Sequence, residues 1–216
     1  MQPATSTIAT TDRRWRMWAA AIALCAWGGL VIQFLDVWAR LGSVTLALWR
    51  LALFFTIISN LTVGIVFGAI ALGAVRPRHP LLIAGLALTM ALVGVVFELL
   101  LRRTLHLAGR TIVSNALLHD AVPLLTLGAW LVLAEKGRLR PRDPWIIALF
   151  PITYLVYALA RGATSGVYPY PFLDGPTIGW GRVALTVLVI SAGFLACGHL
   201  MVMVDRRLGR IGQGRA

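Results

Sequence analysis

Three polar residues interrupt the apolar stretch Phe54-Phe55-Thr56-Ile57-Ile58-Ser59-Asn60, and much further along a histidine interrupts Leu117-Leu118-His119-Asp120. These residue types suit acyl transfer. A hydroxyl attacks poorly at neutral pH until a neighbouring base takes its proton, and imidazole has the proton affinity for that task. The β-branch of Thr56 restricts its rotamers, which favours a nucleophile held in one direction. An oxyanion formed by such an attack needs donors, and Asn60, Asn115, Tyr157 or Arg161 are the candidates, among which the sequence does not choose.

Each residue also has a structural reading. A threonine in an apolar helix commonly bonds the carbonyl three or four positions back, and an intramembrane histidine can be satisfied by one interhelical hydrogen bond. Glu98 has Arg102, Arg103 and Arg161 as ion-pair partners. Asp120 follows His119 by one position and so points about 100° away on a helix, which makes it a poor orienter of the imidazole.

The elements that must position these groups are long and apolar. Hydrophobic residues make up 59% of the 216 positions and charged residues 13%, with a mean hydropathy of +0.82. A soluble domain does not have this composition. Runs of about twenty apolar residues, each long enough as a helix to cross roughly 30 Å of hydrocarbon, predict an all-α polytopic membrane bundle. The expected spans are 17–35, 47–74, 81–101, 112–133, 145–160 and 183–204, six in a single integral membrane domain covering 1–216. The first, preceded by Arg13, Arg14 and Arg16, reads as an uncleaved span rather than a signal peptide. Residues 1–15 read as a flexible tail and 205–216 as a basic one. No internal repeat and no pair of broken half-helices is evident in the pattern.

The net charge of +12 sits at the ends of the apolar runs, so it speaks for topology and not for nucleic acid. With the N-terminus inside, the inner segments carry thirteen Lys and Arg residues and the outer segments seven. Both termini are therefore expected in the cytoplasm, with the protein in a bacterial inner membrane. Thr56 then lies about eight residues past Leu48, roughly 10 to 12 Å below the outer boundary, and His119 about seven residues past Ile112, at a matching depth of roughly 10 Å.

Other polar residues converge on the same side. Thr56, Ser59 and Asn60 share one helix face, as do Tyr154, Tyr157 and Arg161, and Asn115 and His119. Pro123 lies one turn beyond His119, where a freed carbonyl opens space, and Gly94, one turn before Glu98, permits close helix approach. The connector 161–182, with Tyr168-Pro169-Tyr170-Pro171-Phe172, is too aromatic for a solvated linker; it is expected to be an ordered extracytoplasmic cap with its tyrosine rings at headgroup level, Tyr168 included among the supporting residues.

No metal or cofactor is implied, because His79, His106, His119 and His199 lack ligand spacing with Cys, Asp or Glu. Cys25 and Cys197 read as free buried thiols.

The segments FFTIISN (54–60), VVFELLLR (95–102), LLHDAVPLL (117–125), KGRLRPRDP (136–144), YALARG (157–162) and YPYPFLD (168–174) resemble the bacterial Pr-six-Pr membrane proteins. That family is distantly similar to the androgen-induced membrane threonine hydrolases of animals, which act on fatty acid esters of hydroxy fatty acids. The resemblance implies that Thr56 is the nucleophile and His119 its catalytic partner. The expected activity is intramembrane hydrolysis of a lipid ester, with membrane lipids and a hydrophobic ester as the partners. The second reading is a non-catalytic carrier of a lipid or small hydrophobic molecule in the same cavity.

Overall fold

A computed structural model describes residues 4–104 and 108–213, and side chains within 12–104 and 108–211; His106 lies outside these. The described residues form helices and connections with no strand. The helices are α1 (Ala4–Leu41), α2 (Val44–Leu51), α3 (Phe55–Ala71), α4 (Pro80–Leu101) and α5 (Arg110–Leu133), α6 (Asp143–Ser165) and α7 (Trp180–Gln213). Five of them, the described part of α1 together with α4, α5, α6 and α7, are long and apolar enough to cross a membrane. The bent pair α2 and α3 provides a sixth crossing if its two limbs are counted together. The protein is thus an all-α, multi-pass membrane bundle.

The second span differs most from expectation. Instead of one helix over 47–74, the chain turns by 96° between α2 and α3. The physical cause is local: Phe54 has an extended backbone (φ −95, ψ 131) that ends one helix and starts the next. In α2, Ala47 and Leu51 are buried against the bundle, while Leu46, Leu48 and Trp49 are more than half exposed, so this short helix presents a second apolar side outward.

Both helical ends extend beyond the expected spans. α1 begins at Ala4, within the segment expected to be a loose tail. Asp12 pairs with Arg78 at 2.7 Å, and that guanidinium lies 5.9 Å from the ring centre of Trp15. At the other end, α7 runs on to Gln213. Asp205, 1% exposed, accepts from Leu139 N–H at 2.9 Å, while its carbonyl accepts from Gly137 N–H at 3.1 Å. These contacts tie the connector before α6 to the end of α7.

α1 packs lengthwise on α3, α4 packs on α5, and α7 closes against α6 and α4. Glycine permits one of these approaches near the polar stripe. A Cβ on Gly94 would stand 3.1 Å from the His119 carbonyl oxygen and 3.4 Å from Pro123 Cβ, so α4 and α5 meet almost backbone to backbone there. The cysteines are free, as expected, but only Cys25 is partly covered; Cys197 is exposed on α7.

Candidate functional site

Thr56 is the second residue of α3, not a position eight residues into a continuous span. It is 9% exposed, and Ser59 and Asn60 behind it are 1% and 0% exposed, so the polar stripe faces the bundle interior. Asn60 uses its amide nitrogen to join two helices, donating to the Thr56 carbonyl at 2.9 Å and to the Leu118 carbonyl of α5 at 3.2 Å. Its donors are spent on backbone, which makes it a support for the site rather than an oxyanion donor.

His119 comes from a wide turn. Residues Ala116–Ala121 form a π-helical turn inside α5, immediately before Pro123, which has no N–H to return to the His119 carbonyl. The lost hydrogen bond and the wider turn have the same origin. Together they swing the imidazole towards α3, where Nε2 lies 3.2 Å from the Thr56 hydroxyl. Nδ1 lies 3.3 Å from the Asn115 carbonyl. A carbonyl only accepts, so the tautomer that satisfies both contacts carries its hydrogen on Nδ1 and leaves the Nε2 lone pair for the hydroxyl. The Asn115 side chain itself turns back to the Thr111 carbonyl at 2.8 Å.

A second π-helical turn, Phe97–Leu101, ends α4 beside the first. Phe97 stacks on the imidazole with ring centres 3.9 Å apart and planes 22° from parallel. Glu98, expected as a supporting residue, points elsewhere: it pairs with Arg102, which also pairs with Asp120. This ion-pair chain clips α4 to α5 beside the histidine, and neither carboxylate bonds the imidazole.

The expected stripe on α6 serves the bend before Thr56. Tyr154 donates to the Leu53 carbonyl at 2.8 Å, and Tyr157 donates to the Ala52 carbonyl at 3.0 Å. Arg161 donates to the Tyr157 hydroxyl at 2.6 Å and to the Trp49 carbonyl. These groups satisfy backbone that the break in the helix leaves open. Tyr157 and Arg161 therefore position the start of α3 and do not face the Thr56 hydroxyl.

The aromatic connector is shorter than expected, running from Gly166 to Gly179, with single turns at Pro171–Leu173 and Gly175–Ile178. Tyr168 packs on Gly162, where any Cβ would clash with its ring, and meets the Trp180 ring edge-on at 6.2 Å. It anchors the connector away from Thr56. Tyr170 is the residue that reaches inward, its hydroxyl accepting from Phe55 N–H at 3.0 Å and its ring stacked on Phe172 with centres 5.1 Å apart. Burial raises the Tyr170 phenol above its ordinary value, so it stays protonated and retains a hydrogen to donate.

Thr56, Tyr154, Tyr170, Phe97 and Phe172 line a cavity of about 100 Å³, closed mainly by aliphatic side chains of α4 and α6, with Ile190 the one residue from α7. Sequence reasoning missed Phe97 and the inward role of Tyr170. The paired prolines around Tyr170 were the signal for its turn, whereas nothing in the spacing marked Phe97. Among the described residues no three His, Cys, Asp or Glu side chains are grouped to hold a metal ion.

No protein-family model, curated protein or solved structure matches the chain.

Proposed function

We propose that the protein is an intramembrane hydrolase of lipid esters, with Thr56 as nucleophile and His119 as general base. The 3.2 Å contact between the Thr56 hydroxyl and His119 Nε2 carries this reading. It is the reach that proton transfer requires, and the Asn115 carbonyl holds the imidazole in the tautomer that accepts. The resemblance to the threonine hydrolases agrees with the same pair of residues.

In this reaction Thr56 Oγ1 attacks the ester carbonyl carbon as its proton passes to Nε2. The tetrahedral oxyanion collapses, the bond to the alkoxy oxygen breaks, and the alcohol leaves with the proton from Nε2. A water then gives a proton to Nε2 and attacks the acyl-threonine; collapse releases the carboxylic acid and returns the hydroxyl of Thr56. The Tyr170 phenol and the Thr56 N–H are the donors nearest the oxyanion, since Phe55 N–H is given to the Tyr170 hydroxyl and the Ile57 and Ile58 N–H groups to the Phe54 carbonyl. The orienting group is a backbone carbonyl, so the base lacks the carboxylate partner of the familiar serine triad.

The charge count and the sequence resemblance favour a bacterial inner membrane with both termini inside. Cysteines introduced into the loops and labelled from one side of sealed vesicles test that orientation.

Purified protein in detergent should cleave a long-chain acyl ester, and Thr56→Ala and His119→Gln should each lower turnover by about 10²-fold or more while leaving thermal unfolding intact. A fluorophosphonate probe should label wild type and not Thr56→Ala. Unchanged turnover in either folded variant overturns the catalytic reading. A lipid that co-purifies without turnover or labelling establishes the carrier reading in its place.

A further inference from the structure

A second cavity, about 530 Å³, runs between α4 and α7. Its walls come from residues 88–100 of α4 and 185–197 of α7, and Thr186 and Cys197 contribute its only side-chain heteroatoms. Leu92, Val96 and Ile190 line both this groove and the Thr56 cavity. The two spaces are thus separated only by a partition of aliphatic side chains. On its outward side the groove is open: Leu99, Leu185 and Val189 are all more than 60% exposed.

The dimensions restrict the occupant. Twelve residues of helix rise about 18 Å, so 530 Å³ spread over that length leaves a cross-section of about 30 Å². A helix with side chains is about 10 Å or more across and does not fit. An extended alkyl chain does. The groove has no charged lining residue to hold a headgroup, and its floor is open at Gly193, where a Cβ would meet nothing within 4 Å.

We propose that this groove binds the long alkyl chain of the ester, which enters sideways from the bilayer between α4 and α7. The ester group reaches Thr56 past Leu92, Val96 and Ile190. This assignment rests on the hydrolase reading for its reaction, but the binding it describes can be measured without turnover.

Gly193→Leu tests it, because the added side chain enters free space in the groove, and Val189→Phe provides a second variant should the first fold poorly. Each should lower kcat/KM for a hexadecanoyl ester by about tenfold or more, the scale on which pockets discriminate alkyl groups, and leave a butanoyl ester of the same alcohol unchanged. In Thr56→Ala protein, a diazirine-tagged hexadecanoyl ester should cross-link to peptides within 88–100 and 185–197, and the Gly193→Leu substitution should remove that label. Cross-linking without hydrolysis of either ester by wild type keeps the groove and defeats the hydrolase reading. Equal effects of Gly193→Leu on both esters, or cross-links confined to other helices, overturn the groove. A covalent dimer joined through α4 and α7 overturns it also, by assigning the surface to a second copy.

Discussion

Gly94 on α4 lies against the backbone of His119 on α5, with room for a hydrogen where a Cβ would stand 3.1 Å from the carbonyl oxygen. The contact sets how far the imidazole projects towards α3. Gly94→Val should push the helices apart, lowering stability by about 1–3 kcal/mol as overpacking does. Thermal unfolding in detergent measures the loss, and loss of the fluorophosphonate label on Thr56 reports the displaced base. A variant as stable and as reactive as wild type removes this role for Gly94.

Asn60 ties the Thr56 carbonyl to the Leu118 carbonyl across two helices. Asn60→Leu leaves both without that donor. Since hydrogen bonds in membrane interiors average below those expected from hydrocarbon transfer, the cost should be about 1–2 kcal/mol. The unfolding midpoint should fall accordingly, and the fall should be smaller in Asn60→Gln if the longer amide recovers one carbonyl.

Tyr154→Phe should loosen the bend before α3 more than Tyr157→Phe does. The Tyr154 hydroxyl bond to Leu53 is buried, whereas that of Tyr157 to Ala52 is exposed and water or headgroups can replace it. Hydrogen exchange across residues 52–57 should quicken in Tyr154→Phe, with a stability cost of about 1 kcal/mol. Equal exchange in both variants would falsify the ranking.

Lys136 is the only lysine in the chain. Burial lowers its pKa below the ordinary 10.5, with the charge of Asp205 acting in the opposite direction. A lysine with a folded value below its unfolded one binds fewer protons in the folded state, so stability rises with pH through the window between the two values and levels off above 10.5. Mild acylation followed by peptide mapping should show Lys136 reacting with a midpoint below that of free lysine. A midpoint at or above the free value would contradict the burial of the ammonium.

The apolar runs made the bundle legible, since about twenty such residues have few other fates. Thr56 and His119 were legible as polar exceptions within those runs. Thr56 and His119 meet, as matched depths predict, but not at the end of a straight helix through 47–74, because the chain bends there by 96°. Apolar residues continue across the bend, so hydropathy conceals it; the break is recorded only in the Phe54 backbone and in the hydroxyls that meet it. The π-turn at His119 was foreshadowed by Pro123, but the one at Phe97 had no such mark. Tyr157 and Arg161 were placed on the correct face and given the wrong task, because a stripe shows which way side chains point and not what backbone waits for them.

The broken second span also constrains the order in which the chain matures during synthesis. Its open carbonyls at Ala52 and Leu53 and the N–H of Phe55 meet hydroxyls from positions 157, 154 and 170. At ribosomal rates of about 5–20 residues per second, those partners arrive on the order of ten seconds later. Until then the ribosome-bound N-terminal half contains Thr56 without the clamps that fix it. The start of α3 becomes rigid only after α6 and the connector that follows it have been delivered.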